Sequence, residues 1–102
     1  MGRVVEVVIY DVNTRRKEDF DQMMNQWVQY LSQQPGFISS SYLQSLEKPR
    51  IHVQILEFED KQMALQILDN YRMHVGEERF SEFFKILNRR PAIEYYKKIE
   101  FR

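Results

Sequence analysis

The sequence contains no cysteine. That excludes a disulfide framework, a thiolate metal site and a cysteine nucleophile. Glycine and proline occur three times each, too few for a collagenous or low-complexity chain. Gly2, Gly36 and Gly76 stand apart, so no glycine-rich loop exists to cradle a phosphate or dinucleotide. Neither sign of charge dominates: fifteen basic residues balance fifteen acidic ones. Zero net charge argues against a dedicated binder of nucleic acid or anionic membrane. No apolar run exceeds a few residues, so none reads as a membrane span or a secretion signal. The expected location is the cytoplasm.

What is present is the material of a folded core. The chain has 102 residues, of which 43% are hydrophobic and 14% aromatic. This is one domain, residues 1–102, long enough to bury roughly two-thirds of its extended surface. Residues 3–12 (RVVEVVIYDV) are mostly β-branched or aromatic and predict a strand. Asn13-Thr14 then offers a helix cap, with Glu18 and Asp19 in the first turn where the helix dipole favours acids. Phe20, Met23, Met24, Trp27, Val28 and Leu31 follow as one helical stripe. Such a Met and aromatic stripe is ordinarily core. Pro35-Gly36 ends the helix. Residues 37–46 and 50–59 predict two strands joined at Glu47-Lys48-Pro49, hence a hairpin. Asp60 caps a second helix with Met63, Ala64, Ile67, Leu68 and Tyr71 on its apolar side. Gly76 interrupts it, a short helix carries Phe80, Phe83, Phe84 and Leu87, and residues 93–101 predict the last strand.

The order β-α-β-β-α-(α)-β predicts an α+β, ferredoxin-like split β-α-β sandwich. Its four antiparallel strands carry helices on one face. The other face is then bare. Val4, Val8, Tyr10, Leu56 and Phe58 are expected there, an apolar patch too large to leave in water. A second copy of the same sheet is the simplest cover, which predicts a homodimer forming a dimeric α/β barrel.

Several stretches carry a family likeness. Pro35-Gly36-Phe37 opening the second strand, LEKPR at the hairpin, LEFED closing the third strand and HVGEERFSEFFKIL near the end together resemble the antibiotic biosynthesis monooxygenase-like family of dimeric α+β barrels. The resemblance runs from about Val4 to Ile99. It implies a homodimer with a cavity in each subunit. It also implies functions ranging from cofactor-free oxidation of aromatic polyketides to haem binding, haem degradation and autoinducer processing. Where the family often has Trp at the end of the third strand, this chain has Phe58. Of two family histidines, His74 matches the first, and Arg79 stands at the second. The Asn on the first strand that haem-degrading members share is missing from Val8–Tyr10, which weighs against haem degradation and leaves haem binding open.

Polar residues on the face that needs cover are the candidate chemistry. Glu6 lies between Val4 and Val8, and His52 and Gln54 share the corresponding face of the third strand. If the first and third strands are antiparallel neighbours, Tyr10 stands nearly opposite His52. Glu6, Tyr10, His52 and Gln54 would then line one cavity, where burial raises the pKa of Glu and lowers that of His toward the range of a general base. Each has a plain alternative. Glu6 could sit solvated at the barrel mouth or pair with Lys97, Lys98 or an arginine, and His52 could be a surface residue. His74 could be a base or haem ligand, or merely the C-terminal cap before Gly76.

The leading expectation is a small-ligand cavity protein, with oxidation of an aromatic or quinol-like substrate without a cofactor as its candidate activity. His74, His52 and Glu6 are candidate bases, Tyr10 a hydrogen-bond donor, and Phe58, Phe80 and Phe84 the apolar wall. The alternatives are haem carriage through His74, or a non-enzymatic dimeric binding or regulatory module with no pocket above roughly 300 Å³. Two histidines without cysteine predict no metal site. Ser39, Ser40 and Ser41 lack the turn and base of a nucleophile. Arg89-Arg90 with Lys97-Lys98 reads as a solvated end of the domain.

Overall fold

The computed structural model describes residues 2–101. The elements run β1 (Val4–Asp11), a 3-10 turn (Thr14–Arg16), α1 (Lys17–Leu31), β2 (Phe37–Gln44), β3 (Ile51–Phe58), α2 (Lys61–Val75), α3 (Glu77–Lys85) and β4 (Ala92–Lys97). The strands form one antiparallel sheet in the order β2-β3-β1-β4. This is the ferredoxin-like split β-α-β arrangement that the order of elements predicts.

Local chemistry sets the boundaries. The Asn13 side chain accepts from the Arg15 N–H at 3.0 Å and starts the 3-10 turn ahead of α1. Asp60 accepts from the Met63 N–H at 2.8 Å and caps α2. Gly36 adopts φ +90°, and a Cβ there would collide with the Met63 side chain. Its carbonyl accepts from the Glu59 N–H at 2.8 Å, which ties the start of β2 to the end of β3. Gly76, also at φ +90°, separates α2 from α3. The strands are shorter than the composition predicts. β4 stops at Lys97, which pairs with Val4, because β1 supplies no partner beyond that point.

Both sheet faces are apolar, and the helices cover the one expected to be bare. Val4, Val8, Tyr10, Leu56 and Phe58 are buried under the helices within a single subunit. The open face carries Val5, Val7 and Ile9 with Ile51, Val53 and Ile55. This corrects the expectation from sequence, and the cause is simple: period-two alternation divides a strand into two faces but does not say which one the crossover helix covers.

The core beneath the helices falls into two clusters. One holds Val8, Tyr10, Val12, Phe20, Met24, Ile86 and Leu87. The other holds Val4, Leu31, Leu56, Phe58, Ala64 and Ile67. Trp27 packs against both. On β1 the clusters part at Glu6, which lies between Val4 and Val8.

Candidate functional site

A cavity of about 120 Å³ opens beside Glu6. Its floor is the β1 and β4 half of the sheet, with Glu6, Val8, Tyr10 and Ile93. Met23, Met24 and Trp27 of α1, Leu68, Tyr71 and Val75 of α2, and Phe80, Phe83 and Phe84 of α3 form the walls. None of the lining residues comes from β2 or β3. The helical stripes thus do two jobs: Phe20 and Leu31 are sealed into the core, while Met23, Met24 and Trp27 face the hollow. Gln26 and Arg79 stand at the rim, where the Arg79 guanidinium donates to Gln26 Oε1 at 3.0 Å.

Glu6 is the sole carboxylate among the lining residues, and the residue is 7% exposed. Burial pushes its pKa up to about 7. Lys98 pairs with Glu57 at 3.0 Å. At neutral pH Glu6 is therefore part carboxylate and part acid, able to take a proton and return it. Four residues along β1, about 13 Å at ~3.3 Å per residue, Tyr10 closes the far end of the floor. Its hydroxyl donates to Gln54 Oε1 at 3.0 Å. That proton is committed, so the oxygen is left to accept. Burial raises the Tyr10 pKa, with lesser contributions from the charges of Glu6 and Tyr42, and Tyr10 stays a neutral phenol.

The other candidates lie elsewhere. Tyr10 and His52 do stand opposite each other in the β1–β3 register. His52, however, sits on the side of Tyr10 away from the cavity. Its ring is stacked on Tyr42 at 5.5 Å and lies 5.2 Å from Phe20. Its Nδ1 shares a hydrogen bond with the Tyr42 hydroxyl at 2.8 Å. Burial lowers the His52 pKa, helped by the charge of Lys17. Gln54 is buried behind Tyr10 and supports it without reaching the hollow. Phe58 belongs to the second core cluster, against Phe37. Phe80 and Phe84 are in the wall.

His74 lies outside the cavity, in an adjoining open groove shared with Gln26, Gln29, Tyr30, Gln33, Tyr71 and Arg79. It is exposed and faces the Tyr30 ring at 5.4 Å. The inner cavity is smaller than a porphyrin, and His74 lies outside it in the open groove. Among the described residues no group of three or more His, Asp or Glu could hold a metal ion, and no helix is long and apolar enough to cross a membrane. Sequence reasoning missed Tyr71, Gln26 and Arg79 as a group. Tyr71 sits on an ordinary apolar stripe, and the Gln26–Arg79 contact joins residues 53 positions apart.

No protein-family model and no curated protein matches the sequence. Solved structures match the fold over nearly the whole chain. A conserved protein from Methanosarcina mazei Go1 is 20% identical, with a TM-score of 0.84 over 97% of this chain and 95% of its own. SnoaB, a cofactor-independent oxygenase from Streptomyces nogalater, is 14% identical, with a TM-score of 0.77 over 99% of this chain and 97% of its own. A protein of Nitrosomonas europaea, provisionally named an antibiotic biosynthesis monooxygenase, is 17% identical, with a TM-score of 0.78 over 97% of this chain and 93% of its own. The chain therefore has the fold of antibiotic biosynthesis monooxygenase-like proteins, as the sequence resemblance implies.

Proposed function

We propose that the chain is a member of the antibiotic biosynthesis monooxygenase-like family that oxidises a small phenolic or quinol-like substrate with O₂ and no cofactor. One observation carries this reading: a buried carboxylate with a pKa of about 7 faces an otherwise aromatic and aliphatic hollow. Glu6 takes the phenolic proton. The ring anion then supplies the electrons, and a ring carbon forms a bond to O₂. The O–O bond of the resulting hydroperoxide breaks. One oxygen stays on carbon as a carbonyl, and the other leaves as water with the ring hydrogen and the proton returned by Glu6. Phenol and O₂ thus become quinone and water. The apolar walls keep water from the anion, and the Tyr10 oxygen can accept from a substrate hydroxyl.

Oxygen uptake with one-ring and two-ring phenols in chelator-treated buffer tests this. Uptake with quinone formation is expected, and Glu6→Gln should lower it by about 100-fold or more. Uptake unaltered in Glu6→Gln rejects Glu6 as the base.

The size of the hollow supports a second reading. At about 120 Å³ it falls below the roughly 300 Å³ of a drug-sized pocket, which suits a binding module without turnover. Tight binding of a phenol with no oxygen uptake would select it.

A second copy of the chain belongs to either reading. The open sheet face carries Val5, Val7, Ile9, Val53 and Ile55 beside Leu43 and Tyr96, and a partner sheet is the cover that matches it in shape and chemistry. In this arrangement the cavities stay under the helices, one in each subunit.

A further inference from the structure

The mouth of the cavity is chemically unlike its interior. Inside, the walls are apolar and Glu6 is the sole charged group apart from the rim. Outside, the groove of about 450 Å³ is lined by amides, phenols, His74, Arg79 and one aliphatic side chain, Val75, with no Asp or Glu among them. Arg79 lines both spaces. Its guanidinium holds a neutral partner, Gln26, and forms no ion pair among the described residues.

On its opposite flank Arg79 borders a groove containing Asp19, Glu77, Glu78 and Glu82. Three of these are already paired: Asp19 with Arg16 at 2.7 Å, Glu77 with Arg72 at 2.6 Å and Glu82 with Lys85 at 3.6 Å. Arg79 also lines the groove at the mouth, beside Tyr71. Tyr71 senses it there: burial pushes its pKa up, and the guanidinium opposes the rise. An arginine with spare donors, held by one amide at the rim of an apolar hollow, is suited to a planar carboxylate, which it can grip with two parallel hydrogen bonds.

We propose that the ligand is an aromatic acid, with its ring in the inner cavity and its carboxylate on Arg79 at the mouth. This deepens the reading above and rests on its inner cavity. Glu6 acts on the ring end, and Arg79 fixes which way round the molecule enters. A ring is the right size for the inner space, since apolar cavities of ~150 Å³ take benzene. The carboxylate displaces Gln26 from the guanidinium, and the groove amides satisfy its remaining lone pairs.

The test compares hydrocinnamate with its neutral amide, using fluorescence of Trp27, the one tryptophan of the chain and part of the cavity wall. The acid is expected to bind about tenfold or more tightly than the amide, the worth of a charge-assisted hydrogen bond. Arg79→Gln should abolish that preference by weakening the acid far more than the amide, while Arg79→Lys recovers part of it. Added salt should weaken the acid alone. Amide and acid binding equally, or Arg79→Gln leaving the acid unaffected, overturns the role of Arg79 and spares the cavity. Failure of both ligands to bind overturns the proposal together with the cavity reading.

Discussion

Tyr10 donates its hydroxyl proton to Gln54 Oε1 at 3.0 Å, a hydrogen bond made in the core between neighbouring strands. It fixes the phenol at the end of the cavity floor. Gln54 Nε2 is buried with no partner of its own, so the pair is held together by this single bond. Breaking it from either side leaves one buried polar group stranded.

Tyr10→Phe and Gln54→Met should therefore each cost about 1–3 kcal/mol. The double variant should cost less than the two added together, because it strands neither group. Urea denaturation of the four proteins measures the coupling. Additive losses would mean that the bond contributes nothing.

Glu6 links activity and stability to pH in opposite senses. Its folded pKa of about 7 lies above the 4.5 of a free side chain. Between these values the folded protein binds more protons than the unfolded one, so stability falls as pH rises through the window. The total loss is on the order of 3 kcal/mol. Glu6→Gln should be more stable than the parent at pH 8 by up to that amount, with no advantage below pH 4.5. Catalysis by the carboxylate instead rises with pH, with a limb near pH 7 in kcat/KM that the variant lacks. Denaturation midpoints and rates measured over the same pH series check both halves.

His52 has the reverse sign. Its pKa is lowered in the fold, chiefly by burial, so the unfolded state binds more protons as the solution is acidified. The stability due to neutral His52 is complete above roughly pH 6.5, the ordinary histidine value, and is lost as pH falls toward the folded value. His52→Phe should flatten that acid-side slope and leave the limb near pH 7 in kcat/KM unchanged. A shift of that limb in His52→Phe would bring the imidazole back into the chemistry.

Much of this arrangement was legible in the sequence, and the gaps have physical causes. The split topology, with its first and third strands as antiparallel neighbours, suggested Tyr10 opposite His52, and strand alternation marked Glu6 as an acid among valines. It could not separate them by function. That depends on where the hollow lies across the sheet, and helix packing placed it over β1 and β4. Hence Glu6 and Tyr10 share the cavity while His52, Gln54 and Phe58 on β3 do not. His74 and Arg79 are five residues apart, with the break at Gly76 between α2 and α3, yet only Arg79 reaches the inner rim.

The covered and open sheet faces exchange places relative to a reading of alternation alone, and this moves the dimer prediction to other residues. In the present fold Val4 and Val8 are already buried, whereas Ile9 is 42% exposed, Leu43 51% and Tyr96 48%. Val53 stands between Ile9 and Leu43 in the strand register, near the centre of the apolar strip. A lysine there cannot be buried against a second sheet without losing its hydration. Val53→Lys should therefore give a folded monomer in sedimentation, with circular dichroism like that of the parent. Charge placed at the rim, as in Ser41→Lys, should weaken association far less. A parent protein that sediments as a monomer at micromolar concentration would show that this face stands bare in water.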